Sequence, residues 1–452
     1  MNLPQAFIER TRQLLGDAAY TQFEEALQTE TPVSIRPNRM KCSQPVEGEP
    51  IPWASSGSYL NNRPTFTFDP LFHAGCYYVQ EASSMFVEKV LQEYVKEPVV
   101  MLDLCAAPGG KSTLCRSVLP EGSLLVANEV MRNRSQVLAE NLIKWGHPEV
   151  VVTNNDPADF TELTHLFDVI LTDVPCSGEG MFRKDQVAVD EWSLENVDIC
   201  WKRQRRILAD IWPALKPGGI LIYSTCTFNR TEDEEVVARA MEAFGDELEA
   251  VEDIAVGDDW GVVTGREGVF QTFRFFPHRL TGEGMFMAVA RKAGLATSRR
   301  RAPKARRKAM EAVDKRTAQE LSRWVKEPEQ MRFFAAGDTL YGCRAEHYDE
   351  VEALAGTLAV IYSGVAMGQV FKGKLKPDGA LALYAGINTQ AVECCEVDED
   401  TALKFLRKQD VDATQFAEGV NLVLRCGRPL GFVKRVGARV NNMYPNSLRI
   451  LK

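Results

Sequence analysis

Between residues 97 and 292 the sequence predicts a parallel, doubly wound α/β sheet, with an α+β extension before it and small α+β or β-rich modules after it. Three observations predict this. Short apolar runs recur, helical periodicity fills the gaps between them, and the reactive or glycine-rich residues fall just after the runs.

Residues 99–104 read as a buried strand that runs into a glycine-rich turn and a helix. Residues 124–128 give the next strand, 132–145 a helix and 150–154 a third strand. A strand over 167–172, a long helix over 198–215, a strand over 220–224 and a helix over 232–244 follow, and 285–291 closes the series. Upstream, residues 4–27 carry helical periodicity and 31–41 (TPVSIRPNRMK) alternate like a strand. Residues 61–70, with two prolines, read as loop and short strand, and helix returns over 80–94. Downstream, short strands are expected at 358–362, 380–384 and 420–424, with turns at Pro377-Asp378-Gly379 and Gly427-Arg428-Pro429. The boundaries are 1–95 for the extension, 96–293 for the core, 294–315 for a basic linker, and 316–395 and 396–452 for a separate C-terminal region.

The chain has 452 residues, 45% hydrophobic and 25% charged, which suits several soluble domains. No apolar run approaches the ~20 residues needed to span a bilayer, and the start has no signal core. A cytoplasmic protein is expected, with no membrane partner. The eleven cysteines form no CxxC pair and do not cluster with the five histidines at zinc-ligand spacing. Reduced thiols and no metal are expected.

Net charge is −9, so bulk charge does not announce a nucleic-acid partner. Local charge does. Residues 299–308 hold seven basic side chains (Arg299, Arg300, Arg301, Lys304, Arg306, Arg307, Lys308) and no acid. Residues 419–452 hold seven more and again no acid. A polyanion would meet patches.

In a doubly wound sheet, ligands sit beyond the carboxyl ends of the strands. Beyond the first lies Cys105-Ala106-Ala107-Pro108-Gly109-Gly110-Lys111-Ser112. Small residues let backbone approach a ligand, and the helix start offers free N–H groups. Gly110-Lys111-Ser112 mimics the end of a P-loop, but Cys105 stands where that motif requires glycine, so an ATP site is rejected. Glu129, Asp156 and Asp173 follow successive strands. A carboxylate alone often marks only an exposed loop. Three in register with one glycine-rich loop point to a nucleoside pocket.

Two thiols follow the next strand ends: Cys176 in Asp173-Val174-Pro175-Cys176-Ser177-Gly178-Glu179-Gly180, and Cys226 in Ser224-Thr225-Cys226-Thr227. Both should face one crevice. A thiolate can add to carbon 6 of cytosine, making carbon 5 nucleophilic enough to take a methyl group from a sulfonium. Asp173 is placed to interact with the base near N3. Position alone does not say which thiol attacks.

At these residues the chain resembles the Nol–Nop–Sun family of RNA cytosine-5 methyltransferases. The motifs are LDLCAAPGGKST (102–113), DVPCSGEG (173–180) and STCTFNRTEDEEVV (224–237), supported by SIRPNRMK (34–41), YVQEASSM (78–85), DICWKRQRRIL (198–208) and RFFPHRLTGEGMFMA (274–288). The segments 363–383 and 429–450 resemble the C-terminal region of bacterial RsmF-type ribosomal RNA enzymes. The resemblance implies a Rossmann-like methyltransferase core, an N-terminal RNA-binding extension and a PUA-like RNA-binding end. It implies S-adenosylmethionine held by Cys105, Ala106, Ala107, Pro108, Gly109, Gly110 and Lys111 with Glu129, Asp156 and Asp173. It assigns Cys226 as nucleophile and Cys176 to product release. The expected partner is structured RNA of the small ribosomal subunit, not DNA, met by a monomer. Alternatives are a catalytically silent RNA-binding assembly factor and a transfer-RNA methyltransferase. Tyr444 and His278 read as packing and loop residues, and the basic linker as an RNA contact.

Overall fold

A computed structural model describes residues 2–42, 48–295 and 305–451. Its centre is a twisted sheet made of β1 (Val100–Asp103), β2 (Leu124–Asn128), β3 (Val150–Thr153), β4 (Phe167–Asp173), β5 (Leu215–Thr225), β6 (Val263–Glu267), β7 (Phe270–Phe275), β8 (Met285–Lys292) and β9 (Val360–Ser363). The spatial order is β6-β7-β8-β5-β4-β1-β2-β3-β9. Strands β1 to β5 are mutually parallel. The order reverses between β1 and β4, which makes their carboxyl ends the switch-point crevice of a doubly wound sheet.

Strands β1 to β4 are buried over nearly their whole length because both faces of the sheet are covered there. Met101, Leu125, Val152, Val169 and Ile222 face a core that includes Phe86, Leu114, Leu138 and Phe273. Their alternate neighbours Leu102, Val126, Val151, Ile170 and Tyr223 face another, with Ile207, Leu208 and Val236. Helices α1 (Gly110–Val118), α2 (Arg132–Trp145), α3 (Leu194–Ile211) and α4 (Glu234–Phe244) supply much of that cover. Helix α3 is set by its cap: Ser193 Oγ accepts the Asn196 N–H at 3.0 Å, several residues before the expected start.

Two features depart from expectation. Residues 316–452 are not wholly separate, since β9 pairs antiparallel with β3 and covers an otherwise open sheet edge. The expected strand at 380–384 is instead the helix Gly379–Leu383. Asp378 caps it by accepting the Ala380 N–H at 2.9 Å, and alanine and leucine favour the helix that follows.

The N-terminal extension opens with two helices, Gln5–Leu15 and Asp17–Ala26, continues into a small sheet that includes Val33–Pro37 and Tyr77–Val79, and ends in helix Val87–Tyr94. Arg36 pins it to the core. Buried, it donates to Gln80 Oε1 at 3.1 Å and Thr113 Oγ1 at 2.8 Å, and lies 4.5 Å from the Trp145 ring centroid. At the other end, strands Glu393–Glu396, Gly419–Arg425, Arg428–Val436 and Arg439–Asn442 form a sheet packed on helix Glu399–Leu406. Tyr444 is buried there against Phe405, as a packing residue. Arg299, Arg300, Arg301 and Lys304 of the basic linker lie outside the described residues. Arg306 pairs with Glu162, and Arg307 donates to the Leu358 carbonyl at 3.0 Å.

Candidate active site

A cavity of about 370 Å³ opens at the carboxyl ends of β1, β4 and β5. Its walls include Asp103, Cys105, Ala106, Ala107, Pro108, Gly110, Lys111, Asp173, Thr225 and Cys226 from the core. Tyr78 to Glu81 and Ser84 of the extension form another wall, and Met181, Lys184 and Glu283 to Met285 complete it.

The turn after β1 is shaped for close approach. Gly109 has φ 112°, a left-handed value that favours glycine, and it leads into α1. From α2, Arg134 donates to the Ala107 carbonyl and Asn141 to the Pro108 carbonyl, each at 2.8 Å. Gly109 itself is not part of the cavity wall.

Lys111 Nζ reaches Asp173 Oδ2 at 2.8 Å, and Ser224 Oγ donates to Asp173 Oδ1 at 2.8 Å. Burial disfavours the Lys111 ammonium, but Asp173 outweighs it and holds the lysine protonated, above its ordinary value. Asp103, the last residue of β1, was not singled out from sequence. Burial raises its carboxyl to about 7, against the pull of the Ser112 hydroxyl, which donates to Oδ2 at 2.7 Å. Its Oδ1 has no hydrogen-bond partner among the described residues. A lone acid closing an apolar strand was the available signal.

The two thiols meet. Cys176 Sγ and Cys226 Sγ lie 3.0 Å apart, and both are free thiols. Cys226 borders the cavity and Cys176 stands behind it. The hydrogen bond to Cys226, then burial, push the Cys176 thiol well above its ordinary value, so Cys176 keeps its proton.

The loops carrying them are locked by buried carboxylates that sequence reasoning missed. Glu232 accepts from the Ser177 N–H, Gln204 Nε2 and Asn229 Nδ2, each at 2.9 Å, and from the Ser177 hydroxyl. Glu179 accepts from the Phe228 and Asn229 N–H groups at 2.8 and 3.0 Å, and from Trp192 Nε1 at 3.0 Å. Asp233 accepts from Thr225 Oγ1 at 2.6 Å and Thr227 Oγ1 at 2.9 Å, and faces Arg274 at 3.2 Å. The Gly180 N–H donates to the Cys226 carbonyl at 2.8 Å. Each thiol loop is thereby fastened to the other.

The three expected acids are not equivalent. Only Asp173 lines the cavity. Glu129, at the end of β2, is buried, accepts the Met131 N–H at 2.9 Å and pairs with Arg134 at 3.5 Å. Asp156, beyond β3, caps the turn Pro157–Glu162 and pairs with Arg206 at 3.2 Å. Both stand along the same row of strand ends, outside the cavity wall. His278 packs between Phe23 and Phe276, and burial lowers its basicity.

The cavity fits a cationic nucleoside. The Asp103 oxygen without a partner and the Asp173 carboxylate offer acceptors, the glycine turn offers backbone, and Cys226 lines the same cavity.

Known proteins resemble the chain over nearly its whole length. Residues 90–291 match the family described as 16S rRNA methyltransferase RsmB/F. Residues 3–82 match the N-terminal domain of 16S rRNA methyltransferase RsmF, and residues 392–450 the methyltransferase RsmF PUA domain. The chain is 30% identical to ribosomal RNA small subunit methyltransferase F of Erwinia tasmaniensis, over 98% of this chain and 96% of that protein. It is 32% identical to the protein of that name from Aeromonas salmonicida, over 92% and 90%. The crystal structure of a methyltransferase homolog from Pyrococcus horikoshii superposes with a TM-score of 0.54 at 28% identity, covering 64% of this chain and 95% of that one.

Proposed function

The chain belongs to the ribosomal RNA small subunit methyltransferase F family, and from that premise we propose that it methylates carbon 5 of a cytosine in 16S ribosomal RNA through a covalent adduct on Cys226. The observation that carries the assignment of roles is the sulfur pair. Cys226 borders the cavity, while Cys176 sits 3.0 Å behind it and holds its proton.

S-adenosylmethionine supplies an electrophilic methyl group on a sulfonium. Cys105 to Lys111, with Asp103 and Asp173, form its binding surface. Glu129 and Asp156, on the neighbouring strand ends, would extend that surface, since such ends are ~4.8 Å apart. Asp156 would exchange its bond with Arg206 to do so.

The target cytosine must leave its stack, because an edge-on base cannot present both ring faces to the site. Cys226, as thiolate, forms a bond to carbon 6 and pushes the ring electrons toward carbon 5. Asp173, fixed between Lys111 and Ser224, faces the polar edge of the base near N3. After methylation the carbon-5 proton passes to water, the carbon-5–carbon-6 double bond re-forms, and the sulfur–carbon-6 bond breaks. Cys176 passes its proton to the departing Cys226 sulfur and regains one from water, and Cys226 gives its proton up to water before the next attack. Walls from the extension, Tyr78 to Glu81, exclude water from one side.

The C-terminal module adds RNA contacts through its basic strands. Part of that charge is spent internally, since Arg435 faces Glu418 and Arg425 faces Glu399. Among the described residues no helix is long and apolar enough to cross a membrane. We read the protein as a cytoplasmic monomer.

Labelled methyl transfer from S-adenosylmethionine to 16S ribosomal RNA, mapped by bisulfite sequencing, tests this function. One modified cytosine that disappears with Cys226→Ala is expected. No transfer to ribosomal RNA, with RNA binding intact, would make the protein a silent assembly factor.

A further inference from the structure

Residues 292–391 lie between the family matches and are covered by none of them. Within this stretch strands Val365–Phe371 and Lys374–Pro377 form a hairpin in which Phe371 faces Lys374 and Gln369 faces Lys376. Alternate residues share a face. Val370 and Leu375 turn inward onto the core containing Leu321 and Met367. Gln369, Phe371, Lys374 and Lys376 turn outward and are exposed. Phe371 is 70% exposed, while no other described phenylalanine exceeds 38%.

The turn is also unusual. Lys372 has φ 51° and Gly373 φ 75°, the left-handed pair of a tight hairpin turn, where asparagine or glycine is the easy choice for the first position. A lysine there is strained, because its Cβ crowds the following carbonyl oxygen. Its ammonium lies 5.5 Å from the centroid of the Phe371 ring. Arg316 stands against the turn, its guanidinium 3.0 Å from where a Cβ on Gly373 would be. Among the described residues, Lys372, Lys374, Lys376 and Arg316 make no ion pair; the nearby acid Glu320 is engaged by the Leu375 N–H at 3.2 Å and by Arg323 at 3.3 Å.

An exposed aromatic ring, a strained lysine and unpaired cations thus share one hairpin tip. Structured RNA has the complementary chemistry: unstacked bases for the ring and phosphates for the cations. We propose that this hairpin is a second RNA-contact site, outside the catalytic cavity. Phe371 stacks on an unpaired base of the ribosomal substrate while Lys372, Lys374, Lys376 and Arg316 hold flanking phosphates. The proposal rests on the RNA reading above.

The test uses the full chain, deproteinised 16S ribosomal RNA, and two variants, Phe371→Ala and Lys372→Gln/Lys374→Gln/Lys376→Gln. Binding is measured across a salt series, without methyl transfer. Loss of one stacked base should weaken binding about tenfold. Loss of three phosphate contacts should flatten the slope of log affinity against log salt by about 2. S-adenosylmethionine affinity and kcat at saturating RNA should not change. Unchanged affinity and slope in both variants would overturn the proposal. So would a defect seen only with assembled subunits, which would make the partner a ribosomal protein. A wild-type protein that binds the RNA without methylating it, together with variants that still show these binding defects, would sink the methyltransferase reading and leave the hairpin standing.

Discussion

Replacing Glu232 with glutamine should slow methyl transfer while leaving the cofactor site intact. All four groups around this carboxylate can donate, and three of them, the Ser177 N–H, Gln204 and Asn229, are each at 2.9 Å. A glutamine side chain has one oxygen and one amino group. With the amino group turned toward Ser177 Oγ, the hydroxyl can rotate to accept, but Asn229 Nδ2 then faces another donor. One buried donor left unpaired costs about 1–3 kcal/mol, and each remaining bond drops from charge-assisted to neutral, about 1 kcal/mol apiece. Relief from burying a charge offsets part of this, leaving roughly 2–4 kcal/mol. The cost falls on the Ser177–Asn229 contacts that fasten one thiol loop to the other. A displacement of ~1 Å at a reacting group lowers kcat by about 10²-fold. Single-turnover methyl transfer, cofactor titration and thermal melting read the three consequences. Expected are a kcat reduced about 10²-fold, a lower melting temperature, and a cofactor Kd within about twofold of wild type. A Glu232→Gln enzyme with wild-type kcat and melting temperature would refute the clamp.

Three further outcomes follow from the same geometry. Cys176→Ala removes the thiol whose sulfur lies 3.0 Å from that of the nucleophile, so a denaturant-stable protein–RNA adduct should accumulate and be visible on a denaturing gel; no adduct would remove the release role. Gly180→Ala places a Cβ 2.6 Å from the Gly284 carbonyl oxygen and 3.0 Å from that of Cys226, where only backbone could yield, so activity should fall about 10²-fold in a methyl-transfer assay. Asp103 has a folded value of about 7 against an unfolded value of ~3.9, so the folded chain binds the extra proton and this group's stabilising effect, full below pH ~4, is lost as pH rises through about 7. Asp103→Asn should therefore melt above wild type at pH 8 in cofactor-free protein, with a smaller gap at pH 5; equal gaps would contradict the buried charge.

The core of the fold was legible because its strands are buried on both faces. Runs such as Met101-Leu102 and Leu125-Val126 have no polar break, and each stops at a turn or a reactive residue. The outer strand β6 was not legible, since VTGRE is exposed over most of its length and carries no apolar pattern. β9 was legible as a strand, but not its place in the sheet, because its partner lies some two hundred residues earlier and nothing local reports the pairing. In the site, strand-end placement brought Cys176 and Cys226 to one crevice, but not to contact. The clamp acids were hidden for a different reason. Glu179 sits in a loop-like stretch, Glu232 and Asp233 read as the charged, solvated start of the helix expected over 232–244, and only tertiary packing of Trp192, Gln204 and Arg274 buries them. Asp156 illustrates the reverse, an acid in register whose carboxylate is occupied by its own turn and by Arg206.

The attacking sulfur can be identified directly. A 16S ribosomal RNA fragment in which cytosine is replaced by 5-fluorocytosine cannot lose a proton from carbon 5, so the protein–base bond persists after methylation. Tryptic digestion and mass spectrometry should then find the methylated nucleotide attached to the peptide bearing Cys226. Attachment at Cys176, or full methylation of ordinary RNA with no attachment at either cysteine, would contradict the assignment.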